Sequence, residues 1–521
     1  MGNIYLVRDL QEFDRRIESS GKYTLEQLMR EAGRAVADWA MQTIPPSTRV
    51  VVLAGTGNNG GDAMVAAQIL DRRGYEVQLV MPMGRDRLHA LPARVFAALP
   101  EHLRNGALAA MPPLPSCTLS RPPALVIDGL LGTGFRPGLP LPPELSECIL
   151  AVMALRRRHG CRILSIDVPS GMHGDCADDV AVAMAADWTV TLVAPTPSLL
   201  SEAGVPYAGK TVVAPLPGME LLEAVAPHGR CFDCDDAAQA LPMIARDAHK
   251  FRRGSVAAIG CSSQYGSAVL LTATAALRCG AGMVSAIVPD DAPADLRMVP
   301  NAVIVHRKSF GADGIPALLE ALDRAGVVAI GPGLGRAPSL LPMLEAVIDY
   351  CLIQGRPLVI DADALNLLSM KPQMLTCRKN GGVVVLTPHA GEMQRLMAAY
   401  GIAPGRAGDC AQMLADQTGG IVVCKGARMI VASPARPNVR CVINAGCPAL
   451  ATAGSGDVLA GCIAAMLSQC AGGSTPPHEA VALAGWLHAT AGEQLSAPGG
   501  QFGLIADDLP SAIARLLREL A

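Results

Sequence analysis

The residues best suited to chemistry stand at the ends of short apolar runs. Near the carboxyl end, the stretch NAGCPALATAGSGD at 444–457 leads straight into an apolar helical run at 458–467. Small residues at a helix start leave backbone N–H groups free to face an anion, and the helix dipole favours the negative charge there. Asp457 falls in the first turn, where a positioned carboxylate can take the proton of a hydroxyl in phosphoryl transfer. An Asp at that position is, taken alone, also a good helix cap. Four more loops close apolar runs: GPGLG at 331–335, DADALN at 361–366, TPHAGE at 387–392 and KGARM at 425–429. Four glycine or polar loops at four run ends make one cleft, and within it His389 reads as a substrate contact rather than a structural histidine.

A second set lies in the first half. GTGNNGGD at 55–62 follows the apolar run 50–54 and matches GxGxxG at Gly55, Gly57 and Gly60. An ordinary dinucleotide fingerprint needs an acidic residue about 20 positions on to hold the ribose. Here the next run ends in LVMPM at 79–83, so a simple nicotinamide dehydrogenase is not expected, and without GK[ST] the loop is no Walker A site. Asn58, Asn59 and Asp62 are more than a turn requires. Asp128 precedes GLLGTGFRPG at 129–138, and Asp167 precedes VPSG at 168–171. Isolated buried carboxylates are costly, and a hard cation held by the oxygens of Asn59, Asp128 and Ser170 would compensate them.

The elements that must position these groups follow from periodicity. β-Branched runs at 50–54, 77–81, 124–128, 162–167, 188–193 and 211–214 alternate with helical patterns, as they do again at 255–260, 283–288, 327–331, 357–361, 382–387, 421–425, 429–432 and 440–444. Strands spaced by helices predict parallel sheets covered on both faces, with ligands outside the carboxyl ends of the strands. An amphipathic helix is expected at 24–41. The pattern lapses between about 215 and 246, so the expected organisation is a first domain at 1–217, a linker at 218–240 and a second domain at 241–521.

Composition sets the outer limits. With 521 residues the chain holds at least two full cores, and 43 basic against 46 acidic residues leave no electrostatic footprint for nucleic acid. The mean hydropathy is +0.32, yet no run of about 18 apolar residues suggests a membrane span. The charged start at 8–16 offers no apolar core for a signal peptide, so the cytoplasm is the expected location. Sixteen scattered cysteines read as reduced, buried thiols, and the single CxxC at Cys231 and Cys234 reads as part of the linker.

GTGNNGGD, IDGLLGTG and IDVPSG, in that order, resemble the YjeF N-terminal domain, the NAD(P)HX epimerase family, over about residues 1–217. The resemblance implies a Rossmann-like three-layer domain that binds potassium through Asn59, Asp128 and Ser170. It implies binding of the hydrated dinucleotides NADHX and NADPHX through Asn58, Asn59, Gly60, Gly61, Asp62, Gly132, Thr133, Gly134, Phe135, Arg136, Pro137, Gly138 and Asp167, with Asp167 also a catalytic candidate. GPGLG, DADALN, TPHAGE, KGA and GSGD similarly resemble the YjeF C-terminal domain over about 240–521, a ribokinase-like α/β domain with ADP- or ATP-dependent NAD(P)H-hydrate dehydratase activity. That likeness implies ADP as phosphoryl donor, ATP being possible, with Mg²⁺; Lys425, Gly426, Ala427, Arg428, Met429 and Gly456 at the nucleotide; and Ala268, Gly333, His389 and Asp457 at the hydrate, with Asp457 as catalytic base. A homo-oligomer is the expected state. Departures stand at Ala63, Thr196, Phe251, Cys261 and Ser267. Two other readings stay open: a ribokinase-like small-molecule kinase fused to a non-catalytic nucleotide-binding domain, and a scaffold whose first half only binds.

Overall fold

The computed structural model describes residues 2–110, 122–136, 140–178, 180–222, 225–245, 247–250, 252–262, 265–292, 300–376, 382–434, 440–470, 473, 475–496 and 502–521. The chain divides into two compact units, Met1–Gly229 and Arg230–Ala521.

In the first unit, six strands lie in the order Glu76–Val80, Arg49–Ala54, Leu125–Gly129, Arg162–Ile166, Trp188–Leu192, Lys210–Ala214, every neighbouring pair parallel. Successive side chains of a strand point to opposite faces. Val50 and Val52 therefore join Val36, Ala40 and Met64 in one core layer, while Val51 and Leu53 join Leu145, Ile149 and Val152 in another. The helices Leu25–Thr43 and Asn58–Arg72 cover one face and Pro143–His159 the other. The chain leaves Arg49–Ala54 for Glu76–Val80 on one side and reaches Leu125–Gly129 on the other. The crevice between the first and third of these strands is thus a topological switch point, the place where open parallel sheets take ligands.

The sheet of the second unit runs Gly229–Phe232, Arg440–Ile443, Met429–Ala432, Ile421–Cys424, Val384–Leu386, Leu358–Ile360, Val327–Ile330, Ser255–Ile259, Met283–Pro289, Val303–Lys308. From Ile421–Cys424 to Val303–Lys308 the pairs are parallel, but Met429–Ala432 is antiparallel to both its neighbours. The uniform parallel sheet read from the alternation holds only for the larger part, because the last three strands follow one another with no helix between them to carry a crossover. Helices Ala268–Arg278, Ser455–Cys470 and Pro477–Leu495 pack on one face, and Leu341–Ile353, Ala362–Met370 and Ala407–Thr418 on the other. A Cβ on Gly461 would come 2.1 Å from the carbonyl oxygen of Thr272, so Ser455–Cys470 and Ala268–Arg278 cross backbone to backbone.

The first unit is a Rossmann-like three-layer α/β fold and the second a ribokinase-like α/β fold. The stretch expected as a linker at 218–240 is partly regular: it holds the strand Gly229–Phe232 and the helix Cys234–Ala240, capped by Asp233 through the amides of Asp235 and Asp236. Polar residues hid this strand, since only Cys231 and Phe232 supply its buried side chains. The two cysteines of the CxxC part company, Cys231 buried and Cys234 exposed. Among the described residues no helix is long and apolar enough to cross a membrane.

Candidate active sites

The strand ends of the first unit open on a cavity of about 730 Å³. Asn58, Asn59, Asp62, Gly132, Thr133, Gly134, Phe135, Arg136 and Asp167 line it, joined by Asp14 and His89. Pro137 and Gly138, expected here as well, lie outside the described residues. Gly60 and Gly61 do not line it: a Cβ on Gly60 would meet the Gly55 carbonyl oxygen at 2.0 Å, and one on Gly61 the Met29 sulfur at 2.4 Å. Their bareness lets the loop fold back on itself and the helix Leu25–Thr43 close on it. Gly132 faces Asp167, whose Oδ2 a Cβ would approach to 3.2 Å. Thr133 N–H donates to the same oxygen at 3.2 Å, and Asp167 has a left-handed backbone, φ 66°.

Three carboxyls of this cavity are held above their usual range. Burial lifts Asp167; burial and then the charge of Asp167 lift Asp14 to about 6; burial and the charges of Asp167 and Asp14 lift Asp62. Asp14 had no signal in the sequence. It sits on the charged-looking helix Val7–Ser20, and only the packing turns it to the cavity.

Beneath the cavity floor, Asp128 is wholly buried and accepts from Ser170 Oγ at 2.5 Å, Ser170 N at 2.9 Å, Ser165 Oγ at 2.8 Å and Leu130 N at 3.4 Å. Burial nevertheless raises it. Asn59 donates from Nδ2 to the carbonyls of Leu131 at 2.7 Å and Ile166 at 3.2 Å, and its Oδ1 is buried with no hydrogen-bond partner among the described residues. An orphaned amide oxygen, a buried carboxylate and a serine hydroxyl are oxygen donors of the type a hard cation takes. Of the departures, Ala63 packs its methyl against Gly129, and Thr196 is buried with its hydroxyl unpartnered among the described residues.

In the second unit the loops converge around an ion pair whose carboxylate is buried and whose ammonium is partly buried. Lys425 Nζ lies 2.7 Å from Asp361 Oδ1, which also accepts from Thr387 Oγ1 at 2.6 Å. Burial works against the Lys425 charge, but Asp361, Glu392 and Asp457 together hold its pKa above the ordinary value. Gly456 faces this ammonium, since a Cβ there would lie 3.2 Å from Nζ. Asp457, in the first turn of Ser455–Cys470, is lifted to about 7 by burial and then by the charge of Asp361, against the pull of Lys425. His389 caps the helix Ala390–Ala399: Nδ1 accepts from Gly391 N–H at 3.0 Å, so the proton is on Nε2, which faces Glu392 Oε1 at 3.2 Å. Burial and then Lys425 hold this imidazole below its usual pKa. Burial pushes Glu392 up to about 7.

Ala268 and Gly333 come together, a Gly333 Cβ falling 3.2 Å from that of Ala268. Gly426 and Ala427 are exposed, and Arg428 is half-buried with Nε lacking a partner among the described residues. Met429 is different. Its side chain is buried against Gly485 in the core, leaving only its main chain for a ligand. Cys261 occupies a left-handed backbone position, φ 77°, where glycine would be unstrained. Ser267 stands just before the helix Ala268–Arg278, and Phe251 lies outside the described residues. The site role of Asp361 was legible as a loop but not as the partner of Lys425, which is 64 residues away.

The two units thus each carry a group of raised carboxyls at the strand ends of an α/β sheet, around a cavity in the first and at a helix start beside Lys425 in the second. Residues 25–198 match the family described as YjeF-related protein N-terminus, and residues 256–515 the family described as NAD(P)H-hydrate dehydratase. The chain is 32% identical to a bifunctional NAD(P)H-hydrate repair enzyme Nnr of Moorella thermoacetica, covering 99% of this chain and 97% of the relative. It is 30% identical to the enzyme of the same name from Escherichia coli, covering 99% and 94%. Among solved structures, a ribokinase-like superfamily protein from Enterococcus faecalis is 26% identical over 56% of this chain and 96% of its own, with a TM-score of 0.48. The chain belongs to the family of bifunctional NAD(P)H-hydrate repair enzymes.

Proposed function

We propose that the two activities of this repair enzyme are divided between the two sites. The first unit epimerises the C6 hydroxyl of R and S NAD(P)HX. The second uses ADP, or ATP in its place, to dehydrate the S epimer to NAD(P)H.

In the second site the nucleotide lies along Lys425–Arg428 and Gly456, its magnesium arriving with the phosphates, and the hydrate lies against Ala268, Gly333 and His389. Asp457 takes the proton of the C6 hydroxyl as that oxygen attacks the terminal phosphorus, and AMP leaves. The N–H groups at the start of Ser455–Cys470 stabilise the charge on the transferred group. Phosphate then departs with the electron pair of its bond to C6 as the ring-nitrogen lone pair forms a C6–N1 iminium, and loss of a proton from C5 neutralises that cation and restores the dihydronicotinamide. Hydroxide is a poor leaving group and phosphate a good one, which is the reason to spend a nucleotide.

In the first site the hydrate occupies the cavity with its ring near Asp167, which takes the C6 hydroxyl proton as the C6–N1 bond opens to an aldehyde, the bond pair going to N1, and returns it when N1 closes on the other face of C6. Three carboxyls make this cavity a poor host for an anionic dinucleotide. Asn59, Asp128 and Ser170 would hold potassium below it, and the ion when bound supplies the missing positive charge.

The observation that carries this reading is Asp457, a carboxyl raised to about 7 in the first turn of a helix whose Gly456 faces the partly buried Lys425. The test follows the return of reduced-nicotinamide absorbance from a mixture of both epimers with ADP, with ATP and with neither. Restoration of the whole mixture needs both activities; restoration of the S portion alone leaves the first unit without its assigned role. A stable phosphoester in place of the restored cofactor would make the second unit a small-molecule kinase, a reading that the full-length likeness to bifunctional repair enzymes does not favour.

A further inference from the structure

The helix Pro477–Leu495 is buried along most of its length by Ala, Val, Leu and Gly, and His488 interrupts that apolar series. The ring is 5% exposed, and its Nε2 lies 2.9 Å from the carbonyl oxygen of Ser455. A carbonyl only accepts, so Nε2 carries the proton and donates. Nδ1 is then the bare nitrogen, and it is buried with no hydrogen-bond partner among the described residues. Burial, opposed by the Ser455 hydrogen bond and helped by the Lys425 charge, lowers the imidazole pKa to about 4, so the ring is neutral at physiological pH and this tautomer is fixed.

A leucine or phenylalanine would fill the same space without leaving a nitrogen unpaired. The cost of that nitrogen directs attention to what the other one holds. Ser455 is the first residue of the helix that carries Asp457, and its hydroxyl donates to the Leu450 carbonyl at 2.8 Å, so both of its polar ends are tied. The peptide joining Ser455 to Gly456 is planar, with its C=O and N–H directed oppositely. Holding the Ser455 oxygen therefore sets the direction of the Gly456 N–H, one of the first N–H groups of a helix and free of an intrahelical partner. Gly456 faces Lys425 Nζ across the site. A hydrogen bond to a carbonyl also polarises its amide and strengthens the N–H as a donor.

We propose that His488 is a positioning residue of the dehydratase, orienting the Gly456 N–H toward the phosphoryl group in transfer through the Ser455 carbonyl. The proposal rests on the assignment of the second site made above. No part of the ring needs to touch a substrate.

The experiment compares His488→Phe, His488→Gln and His488→Asn in the full chain, reading dehydratase kcat and KM for ADP, with epimerisation as the internal control. Glutamine places an amide nitrogen near the Nε2 position and can restore the bond to Ser455; asparagine places it near Nδ1 and cannot. The Phe and Asn variants should lose about 10-fold to 100-fold in kcat, as when an oxyanion-type donor is misdirected. Gln should recover to within about threefold, and epimerisation should not change. A purely structural histidine predicts lower melting temperature with kcat per folded molecule unchanged, and Gln no better than Asn; either result overturns the proposal. If the Phe variant does not fold, the Gln and Asn pair still decides. A wild-type chain that shows no dehydration at all overturns the site assignment instead, which separates that failure from this one.

Discussion

Asp457→Asn separates the catalytic reading of this side chain from its reading as a cap, and the two predict opposite changes in stability. Asparagine keeps the size and the hydrogen-bonding face of the carboxyl but cannot take a proton. The wild-type carboxyl is raised from 3.8 to about 7. A base must be ionised, so the dehydratase rate of the wild type should rise about tenfold between pH 6 and pH 8, as the ionised fraction climbs from about a tenth to about nine-tenths. For stability the sign is the reverse. Because the folded pKa lies above the unfolded one, the folded chain is favoured most below about pH 4 and loses that advantage as pH rises to about 7. A shift of about 3 units corresponds to at most about 4 kcal/mol, and loss of one of the carboxylates that hold Lys425 charged reduces the gain from removing it. Asp457→Asn should therefore be more stable than wild type by about 1–3 kcal/mol at pH 8 and nearly equal at pH 4, while dehydration falls about 100-fold to 10,000-fold. Turnover and urea unfolding measured on the same samples from pH 4 to pH 8 check both halves. Near-normal dehydration in the variant, or a wild-type rate flat between pH 6 and pH 8, would refute the reasoning.

Cleavage of the chain between Ala226 and Pro227, just before the strand Gly229–Phe232, should leave a first fragment that epimerises without any nucleotide, since its cavity is lined from within that unit; a soluble fragment that is inactive until the second is returned contradicts this. Asp128→Asn should abolish the dependence of epimerisation on potassium and lower the stability of the first unit by about 2–4 kcal/mol, because four donors converge on that carboxylate. Titration with KCl at constant ionic strength, read as activity and as melting temperature, tests it, and equal wild-type rates in potassium-free buffer would remove the ion site. Gly132→Ala should cost epimerisation about tenfold or more with folding intact, since the added methyl would press on Asp167 and Asn59, both pinned by hydrogen bonds; steady-state kinetics with the hydrate mixture measures it.

Much of each candidate site was legible because a strand end followed by bare glycines and a helix start is local information. GTGNNGGD and GSGD announce free N–H groups whatever the rest of the chain does, and alternation of β-branched runs with helical patterns is enough to predict covered parallel sheets. The roles of single residues within those motifs were less legible. Gly60 and Gly61 read as ligand contacts, and the close approach of Gly55 and Met29 to them was not legible; Met429 reads as a nucleotide contact, and the burial of its side chain in the core, which leaves its main chain for that role, was not legible either.

What only the tertiary structure decided is which distant groups meet. Lys425 finds Asp361 because their strands both end at the same edge of the sheet, and His488 reaches Ser455 because Pro477–Leu495 packs on Ser455–Cys470. Asp14 joins Asp62 and Asp167 only when its helix packs against the rest of the first unit. Such pairings follow from strand order and from which helix face finds apolar cover, and those depend on the burial of the whole core rather than on any window of sequence. The chain by itself therefore determined where backbone N–H groups and carboxyls are offered. Their raised pKa values arise from burial and from one another's charge, and these come into being only when the sheets close.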